Sequence, residues 1–290
     1  MSEFTEHDVD VDGLRIRAVV GGRGTPLLLM HGYPQSHLMW RHVLPRLAER
    51  YTVVATDLRG YGDSDKPAPD EANTVYAKRA LAADQVGVMR ALGFDRFDVV
   101  AHDRGARVAQ RLVLDHPGVV GRLAVLDVVP TRHVLRHLDL AVATAYYHWF
   151  FTATGGGIPE HFIGLDPESW IRATIERLLA PGTHIEPQVM AEYVRCFSDP
   201  ATIAASCADY RAGATTDLVD DDTSAAAGER IGWPTLVLWG EQSIVGKAYR
   251  PLEVWREYAD DVRGTALPAG HFLPEEVPDL VVAQVLGFLA

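Results

Sequence analysis

The chain has 290 residues, of which 48% are hydrophobic and 23% are charged, and its formal net charge is -12 at pH 7. This length allows one large domain or one domain with an insertion, and the composition is typical of a soluble globular protein. The negative charge disfavours nucleic acids and membrane surfaces as partners, because both bind basic patches. An anionic substrate would therefore need arginines placed locally inside its pocket.

No apolar stretch reaches the roughly 18 residues that a transmembrane helix needs, and the acidic N-terminal segment is unlike a secretory signal. We therefore expect a cytoplasmic protein. The two cysteines, Cys196 and Cys207, lie in no CxxC motif or histidine-rich cluster. We expect both to be small buried residues, with no disulfide scaffold, no metal site and no cofactor.

Short apolar runs alternate with helical patterns through the first part of the chain. This alternation predicts an α/β fold, in which a mostly parallel central sheet is covered by helices on both faces. A helix is predicted over 76–92, and strands are predicted over 11–19, 26–30, 51–55, 97–101 and 122–126.

The pattern changes after residue 128. Residues 129–215 are rich in aromatic side chains and follow a helical period, which predicts a helical cap inserted between the core segments 1–128 and 216–290. Strand patterns resume near 234–240 and 265–267, and a final helix is predicted over 278–289. The short acidic stretch 217–222 is predicted as a linker.

The segment Ala101-His102-Asp103-Arg104-Gly105 follows an apolar strand and precedes a helical pattern. This context predicts a sharp strand-to-helix turn with Asp103 at its tip, where many hydrolases carry a serine nucleophile. Gly105 suits such a turn because backbone segments approach each other closely there. Taken alone, Asp103 is equally compatible with a helix cap.

Polar residues mark the ends of several predicted strands: Tyr33, Asp103, Asp127 and His271. Ligands of α/β proteins bind beyond the carboxyl ends of the strands, so these side chains are candidates for one site. The chain order of a nucleophile, then an acid, then a histidine is the order of the α/β-hydrolases. Chain order therefore favours catalysis over a helix cap at Asp103.

Motifs along nearly the whole chain resemble those of the fluoroacetate dehalogenases, also called haloacetate dehalogenases, of the α/β-hydrolase superfamily. The resemblance implies an α/β-hydrolase fold with an inserted helical cap. The HGxP and DxRGxGxS patterns are also common in epoxide hydrolases and haloalkane dehalogenases, so they identify the superfamily alone. The motifs are HGYP (31–34), DLRGYGDS (57–64), AHDRGAR (101–107), LDVVPT (126–131), YYHWFF (146–151), DYRAGA (209–214) and LWGE (238–241).

The resemblance implies a reaction in two steps. Asp103 attacks the halogen-bearing carbon, expels halide and forms an ester, which suits a carboxylate because it is ionised at neutral pH. Water activated by His271 then attacks the carbonyl carbon of Asp103 and releases the hydroxy acid. The backbone N–H groups of Tyr33 and Arg104 are the candidate donors to the oxyanion.

His271 needs an acidic partner to fix its tautomer and stabilise its charged form. Many α/β-hydrolases place this acid after the strand predicted at 234–240, but the loop here contains no aspartate. Asp127 is therefore the better candidate, and the resemblance also puts the acid there. Glu241 remains a weaker alternative.

Arg104 and Arg107 point to an anionic substrate. They lie three residues apart at the start of a predicted helix, so both guanidinium groups could reach one small carboxylate. Epoxide hydrolases and haloalkane dehalogenases commonly have tryptophan at the position of Arg104, which suits neutral substrates. The alternative is that both arginines pair with surface carboxylates.

The resemblance assigns a halide site to His148, Trp149 and Tyr210, each of which can donate a hydrogen bond. Without the resemblance, an aromatic cluster in a helical cap would be interpreted as core packing. The chain departs from the family pattern at Ala106, where glycine is usual, and at Gln242-Ser243. Either change could alter the size of the pocket.

The leading hypothesis is hydrolytic dehalogenation of a small 2-haloacid, with fluoroacetate as the expected substrate and glycolate and fluoride as products. The nearest enzymatic alternative is an epoxide hydrolase, whose activating tyrosines could be Tyr146, Tyr147 and Tyr210. A third alternative is a receptor without catalytic activity, because a fold does not determine a function. The resemblance also suggests a homodimer.

Overall fold

A computed structural model of the protein describes residues 4–290. Its centre is an eight-stranded sheet with the strand order β1-β2-β4-β3-β5-β6-β7-β8. The strands are β1 (Thr5–Val11), β2 (Leu14–Gly22), β3 (Thr25–Met30), β4 (Tyr51–Thr56), β5 (Phe97–His102), β6 (Val120–Leu126), β7 (Thr235–Gly240) and β8 (Val262–Leu267).

The sheet is parallel from β4 to β8 and antiparallel at the edge formed by β1 and β2. The predicted mostly parallel sheet is therefore confirmed. The strand predicted over 11–19 corresponds to β2 but begins too early, because a tight turn at residues 12–13 separates β2 from β1. Asp12 and Gly13 both have positive φ (53° and 82°), as a two-residue hairpin turn requires.

The strands in the middle of the sheet are buried on both faces. In β3, Leu28 and Met30 belong to one hydrophobic core, whereas Leu27 and Leu29 belong to the other. Successive side chains of a strand point to opposite faces, so one strand contributes to both cores. This explains why the chain shows continuous apolar runs rather than alternation.

Helices cover both faces of the sheet and form the segment between β6 and β7. They are α1 (Leu44–Leu47), α2 (Lys78–Ala91), α3 (Asp103–Asp115), α4 (Thr131–Arg136), α5 (Leu140–Ala145), α6 (Tyr147–Thr152), α7 (Ile158–Leu165), α8 (Pro167–Leu178), α9 (Pro187–Phe197), α10 (Pro200–Ala214), α11 (Thr216–Ala226), α12 (Ile244–Ala248), α13 (Pro251–Trp255), α14 (Leu273–Glu276) and α15 (Pro278–Leu289).

The acidic stretch 217–222 is not a linker but part of α11. Asp217 is buried and accepts a hydrogen bond of 2.7 Å from the backbone N–H of Lys78, whose ammonium group also contacts it. Asp222 pairs with Arg132. The prediction was wrong because these carboxylates have cationic partners on α2 and α4. The extent of the cap, from α4 to about the end of α10, stays a prediction.

Both cysteines are buried and form no disulfide; the exposed fraction is 9% for Cys196 and 0% for Cys207. Within residues 4–290, no helix combines the length and the apolar character that crossing a bilayer requires.

The turn after β5 is sharp and closely packed. Asp103 has a φ of 44°, which is uncommon for a residue with a side chain. A Cβ atom at Gly105 would lie 2.3 Å from the carbonyl oxygen of His31, and one at Gly32 would lie 2.5 Å from the Cβ of Asp103. The glycines therefore allow this turn to approach the loop after β3.

We expect Gly105→Ala to lower the free energy of unfolding by about 3 kcal/mol, because the new methyl group would displace backbone rather than a flexible side chain. Urea denaturation measures this loss. Gly287→Ala is a matched control, because Gly287 lies within α15 and no atom lies within 4 Å of the added Cβ. This variant should be up to about 1 kcal/mol more stable than wild type. Wild-type stability in Gly105→Ala would contradict the close packing of the turn.

Candidate active site

Asp103 lies at the carboxyl end of β5, at the first residue of α3. Its Oδ2 atom accepts a hydrogen bond of 3.0 Å from the backbone N–H of Tyr33. Burial raises the pKa of Asp103, but His271, His102 and the two nearby arginines outweigh it, so the pKa lies below its ordinary value. The carboxylate is thus ionised. The Tyr33 N–H binds Oδ2 and not Oδ1.

His271 and Asp127 form a buried pair. The Nδ1 atom of His271 lies 2.6 Å from Oδ2 of Asp127. Burial lowers the pKa of His271, but the hydrogen bond and charge of Asp127, together with the charge of Asp103, raise it above its ordinary value. Asp127 also has a positive φ of 48°, and strained backbone of this kind is concentrated at functional sites.

The loop after β7 supports Asp127 rather than replacing it. Oδ1 of Asp127 accepts hydrogen bonds from the Gly240 N–H (2.9 Å) and from the Ser243 hydroxyl (2.7 Å). Ser243, one of the departures from the family pattern, therefore positions the acid. Glu241, the weaker alternative, is exposed, as is Gln242. Neither has a hydrogen bond to His271 among the described residues.

A second histidine, which the sequence interpretation missed, lies against the first. The His102 ring is 4.6 Å from the His271 ring, centre to centre, and its Nε2 atom lies 2.9 Å from the His271 carbonyl oxygen. Burial and the neighbouring His271 lower the pKa of His102 to about 3, so it is neutral. Its position directly before Asp103 was the available signal.

A cavity of about 20 Å³ lies beside Asp103. This volume holds about one or two groups of the size of water. Only a very small substrate fits without movement of the surrounding side chains. The cavity is lined by Tyr33, Asp103, Tyr146, His148, Leu178, Tyr210, Ile244 and His271.

A larger cavity of about 340 Å³ lies between α3 and α11. Its arginines are already engaged, since Arg132 pairs with Asp222 and Arg230 pairs with Asp260. No histidine is among the residues that line it. The smaller cavity is therefore the better candidate for a catalytic site, because it alone of these two contains a carboxylate beside a histidine–aspartate pair.

Arg104 is buried and is held by Asp209, another residue that the sequence interpretation missed. Nε of Arg104 lies 2.8 Å from Asp209 Oδ2, and Nη2 donates to the Asp209 carbonyl oxygen at 2.7 Å. The guanidinium group stacks on Tyr210 at 4.2 Å from the ring centre. Arg104 thus pairs with a carboxylate, as the alternative predicted, but this carboxylate is buried rather than at the surface. Asp209 directly precedes Tyr210 in the DYRAGA motif.

Arg107 differs from Arg104 in having no ion pair with any carboxylate of residues 4–290. Its Nη1 atom donates to the Thr131 hydroxyl at 2.8 Å, and its guanidinium group stacks on Trp149 at 4.5 Å from the ring centre. Its Nε atom is buried without a partner. Burial, followed by the charge of Arg104, lowers the pKa of Arg107. Neither Arg107 nor Arg104 is among the residues that line the cavity beside Asp103.

The candidate halide-binding residues come together. His148 and Tyr210 line the cavity with their rings 6.1 Å apart, and Trp149 lies edge-on to Tyr210 at 6.2 Å. Trp149 itself is not among the lining residues and lies next to Arg107. Burial lowers the pKa of His148 to about 3. Its ring is therefore neutral, with one N–H donor.

Comparisons with known proteins agree with this geometry. The family described as alpha/beta hydrolase fold matches residues 25–278. A fluoroacetate dehalogenase from Burkholderia sp is 43% identical over 99% of this chain and 94% of its own length. The chain belongs to the haloacetate dehalogenase family of the α/β-hydrolase superfamily.

The chain is also similar to an epoxide hydrolase and to a solved α/β-hydrolase structure. A soluble epoxide hydrolase from Corynebacterium sp. (strain C12) is 36% identical over 100% of this chain and 98% of its own length. The solved structure of ALR0039 from Nostoc sp PCC 7120 superposes with a TM-score of 0.97 at 51% identity, covering 99% of this chain and 98% of that one. The matched family and these relatives show the α/β-hydrolase fold and a hydrolase function.

Proposed function

We propose that this α/β hydrolase removes halide from short 2-haloacids, converting fluoroacetate to glycolate and fluoride. One observation carries the proposal: Arg107, a buried guanidinium group without a carboxylate partner among residues 4–290, lies four residues after the ionised Asp103 on α3. An anionic nucleophile that lines a small cavity, with a cation on the next turn of the same helix, suits a small anion that contains an electrophilic carbon.

In the first step, Oδ1 of Asp103 attacks the carbon that bears the halogen. A C–O bond forms, the C–X bond breaks, and the halide leaves with the bonding electron pair. His148 and Tyr210, which line the cavity, donate hydrogen bonds to the departing anion, and Trp149, which packs against Tyr210, is the third candidate donor. These donors matter most for fluoride, because it is a poor leaving group. The Tyr33 N–H keeps the other carboxylate oxygen in place.

In the second step, neutral His271 removes a proton from water, and the hydroxide adds to the carbonyl carbon of the Asp103 ester. Asp127 stabilises the charged imidazolium, and the oxyanion on Oδ2 is stabilised by the Tyr33 N–H and by that of Arg104. The ester bond breaks, His271 returns the proton to the alcohol, and the new carboxyl group of Asp103 loses its own proton to solvent.

Recognition of the substrate carboxylate depends mainly on Arg107. The charge of Arg104 is balanced by Asp209, so Arg104 contributes through Nη1, which is buried without a partner. The charge of Arg107 is not balanced by any carboxylate of residues 4–290. An incoming carboxylate would therefore gain a charge-assisted hydrogen bond at Arg107 and a weaker one at Arg104.

We expect Arg107→Met to lower kcat/KM for chloroacetate by roughly 10- to 100-fold, which corresponds to the loss of one hydrogen bond to a charged group. Chloroacetamide, a neutral analogue of similar shape, is the internal control, and its kcat/KM should change less than threefold by the same reasoning. Steady-state halide release measures both. An equal loss for both substrates would contradict a role of Arg107 in carboxylate recognition.

The proposed function is tested by incubating the purified protein with fluoroacetate, chloroacetate and styrene oxide, and by measuring halide and diol. We expect halide from both haloacids and no diol. Diol without halide would overturn the proposal. Neither product would favour a receptor, although the presence of Asp103, Asp127 and His271 in one arrangement argues for catalysis.

Epoxide hydrolysis is the second candidate, and one observation favours it. Tyr146 and Tyr210 both line the cavity that contains Asp103, as the two tyrosines that activate an epoxide oxygen would. The epoxide would accept their O–H hydrogen bonds while Asp103 opens the ring. The small cavity and the arginine next to Asp103 argue against this candidate, since a typical epoxide substrate is neutral and larger.

A further inference from the structure

We propose that Glu276 is a positioning residue, which holds the His271 loop (residues 270–272) against the cap in the orientation that ester hydrolysis requires. This inference rests on the two-step reaction proposed above. It concerns the second step alone, because His271 acts only there.

The carboxylate of Glu276 binds the backbone on both sides of His271. Oε2 accepts a hydrogen bond of 2.9 Å from the Gly270 N–H, and Oε1 accepts one of 2.9 Å from the Phe272 N–H. A single side chain thus fixes the residue before and the residue after the candidate base. Its negative charge also contributes to the raised pKa of His271.

The same carboxylate reaches the segment 178–183, which begins at the last residue of α8. Oε2 accepts hydrogen bonds from the Ala180 N–H (2.8 Å) and from the Thr183 hydroxyl (3.2 Å). Glu276 therefore connects the histidine loop of the core to the helical segment that covers it. A backbone N–H bound to a carboxylate is a strong, charge-assisted contact.

Direct contacts between loop and cap add to this connection. The N–H of His271 donates to the Leu178 carbonyl oxygen at 2.9 Å, and Leu178 also lines the cavity. A Cβ atom at Gly270 would lie 2.4 Å from the Ala180 nitrogen. The loop and segment 178–183 pack as one unit. The place of His271 is therefore set by Asp127 on the core side and by this segment on the cap side.

Glu275 provides a matched control. It precedes Glu276 in α14 and also connects core and cap, but its carboxylate binds Arg41, Tyr193 and Gln35. Its side chain makes no hydrogen bond to residues 270–272. Loss of its charge should therefore affect stability without affecting the position of His271.

The test compares Glu276→Gln and Glu275→Gln with chloroacetate, using rapid quench for halide release and intact-protein mass for the ester. For Glu276→Gln we expect the first equivalent of chloride at a rate within about twofold of wild type, ester decay slower by about 10- to 100-fold, and accumulated ester in the steady state. Glu275→Gln should accumulate no ester. Wild-type ester decay in Glu276→Gln, or an equal slowing of both steps, would overturn the inference.

The pH profile is a second readout. Removing the charge of Glu276 should shift the profile of ester decay to lower pH, which a merely structural role would not do. If Glu276→Gln does not fold, Thr183→Val removes the hydroxyl that contacts both Glu276 (3.2 Å) and the Ala180 carbonyl oxygen (2.7 Å), and it should slow ester decay by a few-fold; unchanged decay there would overturn the inference. Failure of the proposed function is distinguishable, since wild type would then release no halide and His271→Asn would form no ester.

Discussion

Asp103→Asn should abolish halide release, with kcat lowered on the order of 10⁴-fold or more. An amide is a far weaker nucleophile than a carboxylate, and Asp103 is the carboxylate that lines the cavity. Release of fluoride from fluoroacetate and of chloride from chloroacetate both measure this loss. The effect should be equal in proportion for the two substrates, because no attack occurs in either case.

The control for this substitution is a measurement that the variant is folded like the wild type. Asparagine retains the side-chain oxygen that can accept the Tyr33 N–H, so the turn after β5 should stay intact. The thermal unfolding midpoint and the circular dichroism spectrum should match those of wild type. Halide release within tenfold of wild type would contradict the assignment of Asp103 as nucleophile.

His271→Asn should stop turnover after one equivalent of halide and leave a stable ester on Asp103. Asparagine cannot accept a proton from water, so hydrolysis of the ester should slow by about 10²- to 10⁴-fold. The first step needs no base and should continue. Intact-protein mass would increase by one carboxymethyl group, and peptide mapping would locate it at Asp103.

Protonation of His271 at low pH should have the same effect in the wild-type protein, namely accumulation of the ester. Its pKa is raised, so the neutral form that accepts a proton is lost as the pH falls through this raised value. Asp103 has a lowered pKa and remains ionised over that range. At about one unit below the ordinary histidine pKa of about 6.5, halide release should continue for one equivalent while the ester accumulates. Turnover at this pH without detectable ester, or no ester in His271→Asn, would contradict a two-step reaction.

Most of the sheet could be predicted because its middle strands are buried on both faces. The runs predicted at 26–30 and 97–101 correspond to β3 and β5 within one residue at each end. β1 could not be predicted in this way. It is an edge strand with mostly exposed polar residues, and its pairing with β2 depends on a turn at Asp12-Gly13.

The candidate site was partly predictable for a different reason. Asp103, Asp127 and His271 each follow a strand or a strand-end loop, and parallel strands bring such positions to one edge of the sheet. The supporting residues depend on contacts between distant parts of the chain. Asp209 lies 105 residues from Arg104, and Ser243 lies 116 residues from Asp127. No local pattern marks a carboxylate as the partner of a particular arginine.

The most direct test of covalent catalysis by Asp103 is a single turnover in H₂¹⁸O with the enzyme in excess over fluoroacetate. Hydroxide derived from the labelled water attacks the carbonyl carbon of the Asp103 ester, so the first turnover should place ¹⁸O in the tryptic peptide 97–104 and release unlabelled glycolate. Fragmentation would assign the label to Asp103 rather than Asp98. Labelled glycolate and an unlabelled peptide would show direct attack of water on the substrate and would contradict the ester intermediate.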